Sequence, residues 1–208
     1  MSIYMLCLIA LSILAHDLID VRVHAPKIRI DMRYATSNNF TREVIYKQWD
    51  GGCYLKEEVV RALSKVQKDL EKRGLGLLIW DAYRPLSQQW VLWNTVSDAQ
   101  KKYVADPRKG GRHTRGMSVD CTLVQSKTGK ELEMPTEFDD FTPLAWRNCD
   151  TVPKIAQHNR KLLDVVMTKY GFIGLPHEWW HFDYKGWEKY PSLDINFDEV
   201  KKVLKVDF

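Results

Sequence analysis

No stretch of this 208-residue chain is apolar for long enough to cross a bilayer comfortably. The longest, residues 1–15, falls short of the roughly 20 residues a membrane-spanning helix needs. Its length suits the hydrophobic region of an export leader, although no Lys or Arg precedes it. The expectation is therefore a signal peptide over 1–15 and a periplasmic or secreted protein. The alternative is a cytoplasmic protein whose N-terminal segment is buried. Cysteine is scarce as well. Of the four, Cys7 falls in the leader, and Cys53, Cys121 and Cys149 are an odd set that cannot all pair within one chain, so cysteine carries no vote on compartment. Charge of one sign is also lacking, with 31 Lys and Arg against 27 Asp and Glu and a formal net charge of +4. A local crowd of Lys101, Lys102, Arg108, Lys109, Arg112 and Arg115 reads as a solvated loop, and no nucleic-acid partner is expected. No repeat or low-complexity linker divides the chain, which leaves a single domain over 16–208.

Periodic patterns supply the elements. Val59, Val60, Leu63, Val66 and Leu70 recur at helical spacing within residues 56–73, and Gly74 stands ready to end the helix. A buried strand over 75–80 follows, then a turn over 81–85, then a second helix capped by Ser87 and running to about residue 99. A polar loop over 101–112 leads to a strand over 117–124, a hairpin turn at 126–129 and a return over 131–134. A long loop over 135–153, a helix over 156–170 and a strand over 178–184 complete the reading, and most of the eight tryptophans are assigned to the core. Helices mixed with hairpin-linked strands give an α+β fold with an antiparallel central sheet and packed helices.

Two clusters carry chemistry: His177-Glu178-Trp179-Trp180-His181, and His113 followed by Asp120. Together they hold imidazoles, a carboxylate ligand and a spare glutamate, the inventory of a catalytic zinc site with a general base. Two wirings compete. In one, His177 and His181 sit four apart on a zincin-type helix with Glu178 as base. Pro176 and the aromatic run from Trp179 to Tyr184 weigh against a helix there. In the other, His113, Asp120 and His181 bind the metal, Glu178 is the base and His177 is a bystander. On a regular strand Glu178 and His181 would face opposite sides, so this wiring needs Glu178 in the turn that enters the strand.

The spacing H-x6-D followed by E-x-W-H resembles that of the zinc D-alanyl-D-alanine dipeptidases of the VanX type, peptidase family M15. Tyr34-Ala35-Thr36 with Asn39-Phe40-Thr41, the segment Gly76 to Pro85, Phe138-Asp139 and Asn159 to Leu162 fall in that family's order, and the resemblance runs from about residue 18 to the C-terminus. It implies the fold shared with D,D-carboxypeptidases and the hedgehog signalling domain, and one zinc ion per chain held by His113, Asp120 and His181, with Glu178 as base. It makes Arg84 the oxyanion donor, where the residues alone favour a surface Arg paired with Asp81. It assigns Asp139 to the substrate ammonium with Tyr34 as a second contact, and Arg115 or Ser118 to the neighbourhood of the metal. Gly111 and Arg112 depart from the small hydroxyl residues typical before the first histidine, which leaves open how the substrate carboxylate is held. The implied reaction cleaves the D-alanyl-D-alanine dipeptide, in cell-wall metabolism or glycopeptide resistance. The alternatives are a D,D-carboxypeptidase acting on longer peptidoglycan peptides and a non-catalytic, zinc-stabilised binding module.

Overall fold

The computed structural model describes residues 18–98 and 100–204. The leader read over 1–15 lies outside the described residues. Among them, no helix is long and apolar enough to cross a membrane. The sheet that carries the site has five strands in the order β2 (Arg29–Ile30), β4 (Leu75–Asp81), β5 (Ser118–Gln125), β7 (His181–Tyr184) and β6 (Phe172–Gly174). The pairs from β4 onward are antiparallel, whereas the short edge strand β2 runs parallel to β4, a departure from the all-antiparallel expectation. A two-stranded ribbon of β1 (Leu18–Asp20) and β3 (Tyr54–Lys56) leads into the first long helix.

That helix, α1 (Glu57–Glu71), forms where the apolar spacing placed it. Val59, Val60, Leu63, Val66 and Leu70 are fully buried, each worth roughly 1.5–3 kcal/mol of transfer free energy. Glu57 and Glu58 in its first turn complement the positive end of the helix dipole. Helix α3 (Lys154–Lys169) packs against both α1 and the sheet. Strand alternation divides β5 into two faces. Val119, Cys121 and Leu123 share one with Ile79 and Phe182 through cross-strand pairing, and Ser118 and Asp120 take the other with His181 and Asp183. Cys121 thus turns away from the candidate ligands, as the alternation required.

Several expectations need correction. Helix α2 (Leu86–Thr95) stops short of residue 99, and Ser87 does not cap it. The cap comes from elsewhere in the chain: the Ser87 amide donates to Asp194 Oδ1 at 2.8 Å, so a distant loop satisfies the helix end. Beyond the 126–129 turn the return is a single bridge, Val124 to Glu131, rather than a strand. Strand β6 and helix α4 (Phe197–Leu204) were not among the expected elements, although Phe197, Val200 and Leu204 are spaced for one helix face. Phe197 docks α4 into an aromatic group with Tyr46, Tyr54 and Tyr83. Tryptophan is less a core residue than expected. Trp80, Trp179 and Trp180 are buried, but Trp90 and Trp146 are exposed and Trp49, Trp93 and Trp187 half-buried.

Candidate active site

Strand register creates the centre of the site. Asp120 on β5 lies directly opposite His181 on β7, and two pairs along the ladder Ser118 lies opposite Asp183. Residues two apart on a strand share a face, so all four side chains project together. His113 joins them from a single 3-10 turn, His113–Arg115, that ends at Gly116. Gly116 has φ +66, and a Cβ there would meet Leu18 at 2.6 Å, so glycine is required at this approach. Candidate ligand atoms of His113, Asp120 and His181 lie within 4.8 Å of one another, and all three residues are buried.

The hydrogen bonds around the two imidazoles test whether a cation fits. His113 Nδ1 faces the Ala82 carbonyl at 2.8 Å, and His181 Nε2 faces Asp183 Oδ1 at 2.9 Å. Both partners only accept, so these nitrogens carry the ring protons. The remaining lone pairs, on His113 Nε2 and His181 Nδ1, then point at each other across 3.2 Å, with the Asp120 carboxylate 2.9 Å from His181 Nδ1 and 3.3 Å from His113 Nε2. Only a positive charge between them relieves that arrangement. A proton can supply it: burial opposes the imidazolium, yet Asp120 and Asp183 outweigh burial and raise His181 to about 10. Burial would likewise raise the Asp120 carboxyl, but the two imidazoles hold it below the usual carboxylate range. Two nitrogens and one oxygen in this setting are a donor set suited to zinc.

The residues from Leu175 to Trp180 form turns rather than a helix, which removes the zincin wiring. His177 is exposed and packs edge-on against Trp146, with ring centroids 5.0 Å apart. Glu178 sits in the turn entering β7, as the second wiring requires. Its Oε2 is 3.9 Å from His181 Nδ1. Burial, aided by the charge of Asp120, raises its carboxyl above the ordinary value.

Arg84 is buried, not superficial, although it does pair with Asp81. Its Nη1 donates to Gln89 Oε1 at 2.7 Å and its Nε to the Tyr46 hydroxyl at 3.1 Å, while Cζ lies 4.9 Å from the Tyr34 ring centroid. One N–H on each terminal nitrogen is left for another acceptor. The Tyr34 hydroxyl donates to Asp139 Oδ2 at 2.9 Å. Asp139 stands in a left-handed conformation with φ 59, and burial and the charge of Asp120 hold its carboxyl well above the usual range.

A cavity of about 470 Å³ joins these groups. Tyr34, Arg84, Arg115, Asp139 and Glu178 line it together with the three candidate ligands. Ser118, expected near the substrate, is fully buried away from the cavity lining, where its hydroxyl donates to Asp183 at 2.7 Å. The sequence reading did not give Arg112, Gln89, Tyr46 or Asp183 a place in the site. Arg112 and Arg115 both lie over Trp187, with Cζ 5.1 and 5.4 Å from the ring centroid, and together form a basic wall of the cavity. For Asp183 a signal existed, since a His-x-Asp spacing on a strand puts both side chains on one face.

Comparisons with known proteins identify the family. The family described as D-ala-D-ala dipeptidase, Peptidase M15, matches residues 14–201. A D-alanyl-D-alanine dipeptidase of Escherichia coli K12 is 38% identical over 181 residues, covering 87% of this chain and 91% of the relative. One from Streptomyces coelicolor is 32% identical, covering 82% and 91%. A solved LD-carboxypeptidase, LdcB, superposes with a TM-score of 0.47 at 19% identity, covering 92% of this chain and 74% of that one. The chain belongs to the D-Ala-D-Ala dipeptidase family of M15 peptidases.

Proposed function

We propose that the protein is a zinc-dependent D-alanyl-D-alanine dipeptidase that releases two D-alanines. One observation carries the reading. His113, Asp120 and His181 converge at the floor of a cavity, with Glu178 beside them. The D-alanyl-D-alanine dipeptidases to which the chain is similar support it. When bound, zinc supplies Lewis acidity and lowers the pKa of a water molecule toward about 7. The protein's own groups divide the remaining work. Glu178, its proton affinity raised by burial, accepts a proton from the attacking water and returns it to the departing amine. Arg84 turns its spare N–H groups toward the oxygen that becomes negative as the amide carbonyl is attacked. Four other contacts fix the guanidinium beforehand, so little reorganisation is needed as charge develops.

Substrate length is read by charge at both ends. Asp139, oriented by Tyr34, faces the free ammonium, and Arg112 and Arg115 on Trp187 supply cations for the free carboxylate. On this reading a guanidinium takes over the task that hydroxyls before the first histidine would otherwise perform. It also favours a dipeptide over the longer peptides of a D,D-carboxypeptidase, whose amino end carries no nearby ammonium. Export through residues 1–15 remains part of this reading and would place the reaction outside the cytoplasm.

The test compares zinc-loaded protein on D-alanyl-D-alanine, its N-acetyl derivative and a capped tripeptide ending in the same two residues. Chelator-sensitive release of D-alanine is expected from the free dipeptide, with kcat/KM on the order of 100-fold lower for the acetylated one, since the carboxylate of Asp139 would be left unpaired. Preference for the capped tripeptide would transfer the chain to the carboxypeptidase reading. Bound zinc without turnover of any of the three would leave a binding module.

A further inference from the structure

We propose that Asp183 is a positioning residue for His181: it sets the tautomer and ring orientation of that ligand, and Ser118 and Arg112 hold it in place. The inference rests on the metal-centre reading above and concerns a residue that does not line the cavity and so does not touch substrate.

Asp183 is 5% exposed, and a carboxylate this deep needs donors. It has three. Oδ1 takes the Ser118 hydroxyl at 2.7 Å and the His181 Nε2–H at 2.9 Å, and Oδ2 faces Arg112 Nη1 at 3.3 Å. The ladder explains how one oxygen meets both groups. Ser118 is the cross-strand partner of Asp183, and His181 precedes Asp183 by two positions on the same face. The His181 ring is consequently clamped between two carboxylates, with Asp120 at Nδ1 and Asp183 at Nε2.

A neutral imidazole can carry its proton on either nitrogen, and a flip of the ring exchanges nitrogen for carbon at each position. An ionised carboxylate can only accept, so Asp183 obliges Nε2 to keep the proton and leaves the Nδ1 lone pair aimed at Asp120 and His113. His113 is fixed differently, by a neutral backbone carbonyl at Ala82. The two histidines therefore present different ring nitrogens to the centre, Nε2 from His113 and Nδ1 from His181. Because Asp183 lies on the far side of the ring, it cannot be a ligand itself. Charge donated through the Asp183 hydrogen bond would make His181 a stronger ligand.

Zinc affinity, measured without substrate by competition with a chromophoric chelator, tests this directly for Asp183→Ala, Asp183→Asn and Ser118→Ala. Asp183→Ala is expected to weaken zinc binding about 10–100-fold. Asp183→Asn keeps a carbonyl acceptor for Nε2–H and should recover part of that loss, and Ser118→Ala should fall between Asp183→Asn and the unaltered protein. At saturating zinc, kcat on the dipeptide should drop in Asp183→Ala while KM stays put. Zinc affinity within twofold of the unaltered protein, accompanied only by a lower melting temperature, would overturn the proposal. If the alanine variant does not fold, the asparagine and Ser118 variants decide the matter by the same readout. Failure of the dipeptidase reading would show separately, as zinc bound normally with no D-alanine released.

Discussion

The two ends of the cavity are made of different material. At the end proposed to hold metal, Asp120 and His181, with Asp183 behind them, stand on paired strands and take their mutual positions from ladder register, while His113 reaches in from a 3-10 turn. At the substrate end, Asp139 comes from a long loop in a left-handed conformation, Tyr34 from a 3-10 turn, and Arg112 and Arg115 from the turn around His113. Strand pairs fix two of the three proposed ligands more precisely than loops would. Loops hold geometry through individual hydrogen bonds and aromatic contacts, such as Tyr34 to Asp139 and the two guanidiniums on Trp187. The strand-borne end is thus the more fixed in shape, and the loop-borne end the more adjustable.

If that division holds, the largest effect should come where chemistry and scaffold meet. Glu178 lies in the turn entering β7, close enough to His181 to act but outside the ligand set. Glu178→Gln keeps the shape and removes the proposed base. The expectation is a fall in kcat of about 10²–10⁴-fold with zinc content unchanged, checked by steady-state kinetics alongside metal analysis. A variant that lost its zinc along with its activity would mean the metal end depends on this turn, and the comparison would fail.

The same contrast governs what the sequence could disclose. Helix α1 was legible because its buried face imposes a period of 3.6, the strands β4 and β5 because burial on both faces makes them short apolar, β-branched runs, and the pair Asp120 and His181 through motif spacing. The turn at Glu178 was legible through Pro176 and through the parity conflict between Glu178 and His181. Strand β6, three residues long, is too short to show a period, while helix α4 has an apolar face at Phe197, Val200 and Leu204 that the reading passed over; what the sequence does not show is its docking site, against the distant Tyr46 and Tyr83. Ser118 was misread for a related reason. A serine beside a ligand looks like a substrate contact until strand pairing puts Asp183 across from it. The roles of Arg84 and Asp139 came from family resemblance alone, since an Asp-rich loop and an Arg after a strand are common on surfaces.

At the substrate end a middling effect is expected, with an unusual sign in stability. Asp139→Asn retains an acceptor for the Tyr34 hydroxyl but loses the charge that meets an ammonium. Loss of a charge-assisted hydrogen bond should lower kcat/KM on the order of 10–100-fold, carried mostly by KM. Stability should move the other way. Burial and the charge of Asp120 raise the Asp139 carboxyl above its unfolded value of about 3.9. A carboxyl raised on folding contributes most below its unfolded pKa, and that contribution is lost as pH climbs through the raised folded value. At neutral pH the unaltered protein therefore bears a penalty that asparagine removes. The melting temperature of Asp139→Asn should exceed that of the unaltered protein, by a margin that widens from acid to neutral pH in a calorimetric series. An equal or lower melting temperature at neutral pH would show that the loop is held by this charge and is not merely tolerating it.

The smallest expected effect separates the two wirings most sharply. His177 and His181 are spaced as a zincin pair, and a helix over them would make both ligands. Here the backbone turns between them, so one imidazole joins His113 and Asp120 and the other goes to the surface beside Trp146. His177→Ala removes one exposed edge contact and nothing that faces the cavity. Zinc affinity and kcat should both stay within about twofold, as for surface substitutions generally. A drop in zinc affinity comparable to loss of a ligand would require the chain to bend differently at Pro176, and the strand-built centre would then be wrong at its root. Because the same five residues serve both hypotheses, a null result at position 177 constrains the fold of the site more tightly than a large loss at Glu178, which either wiring predicts.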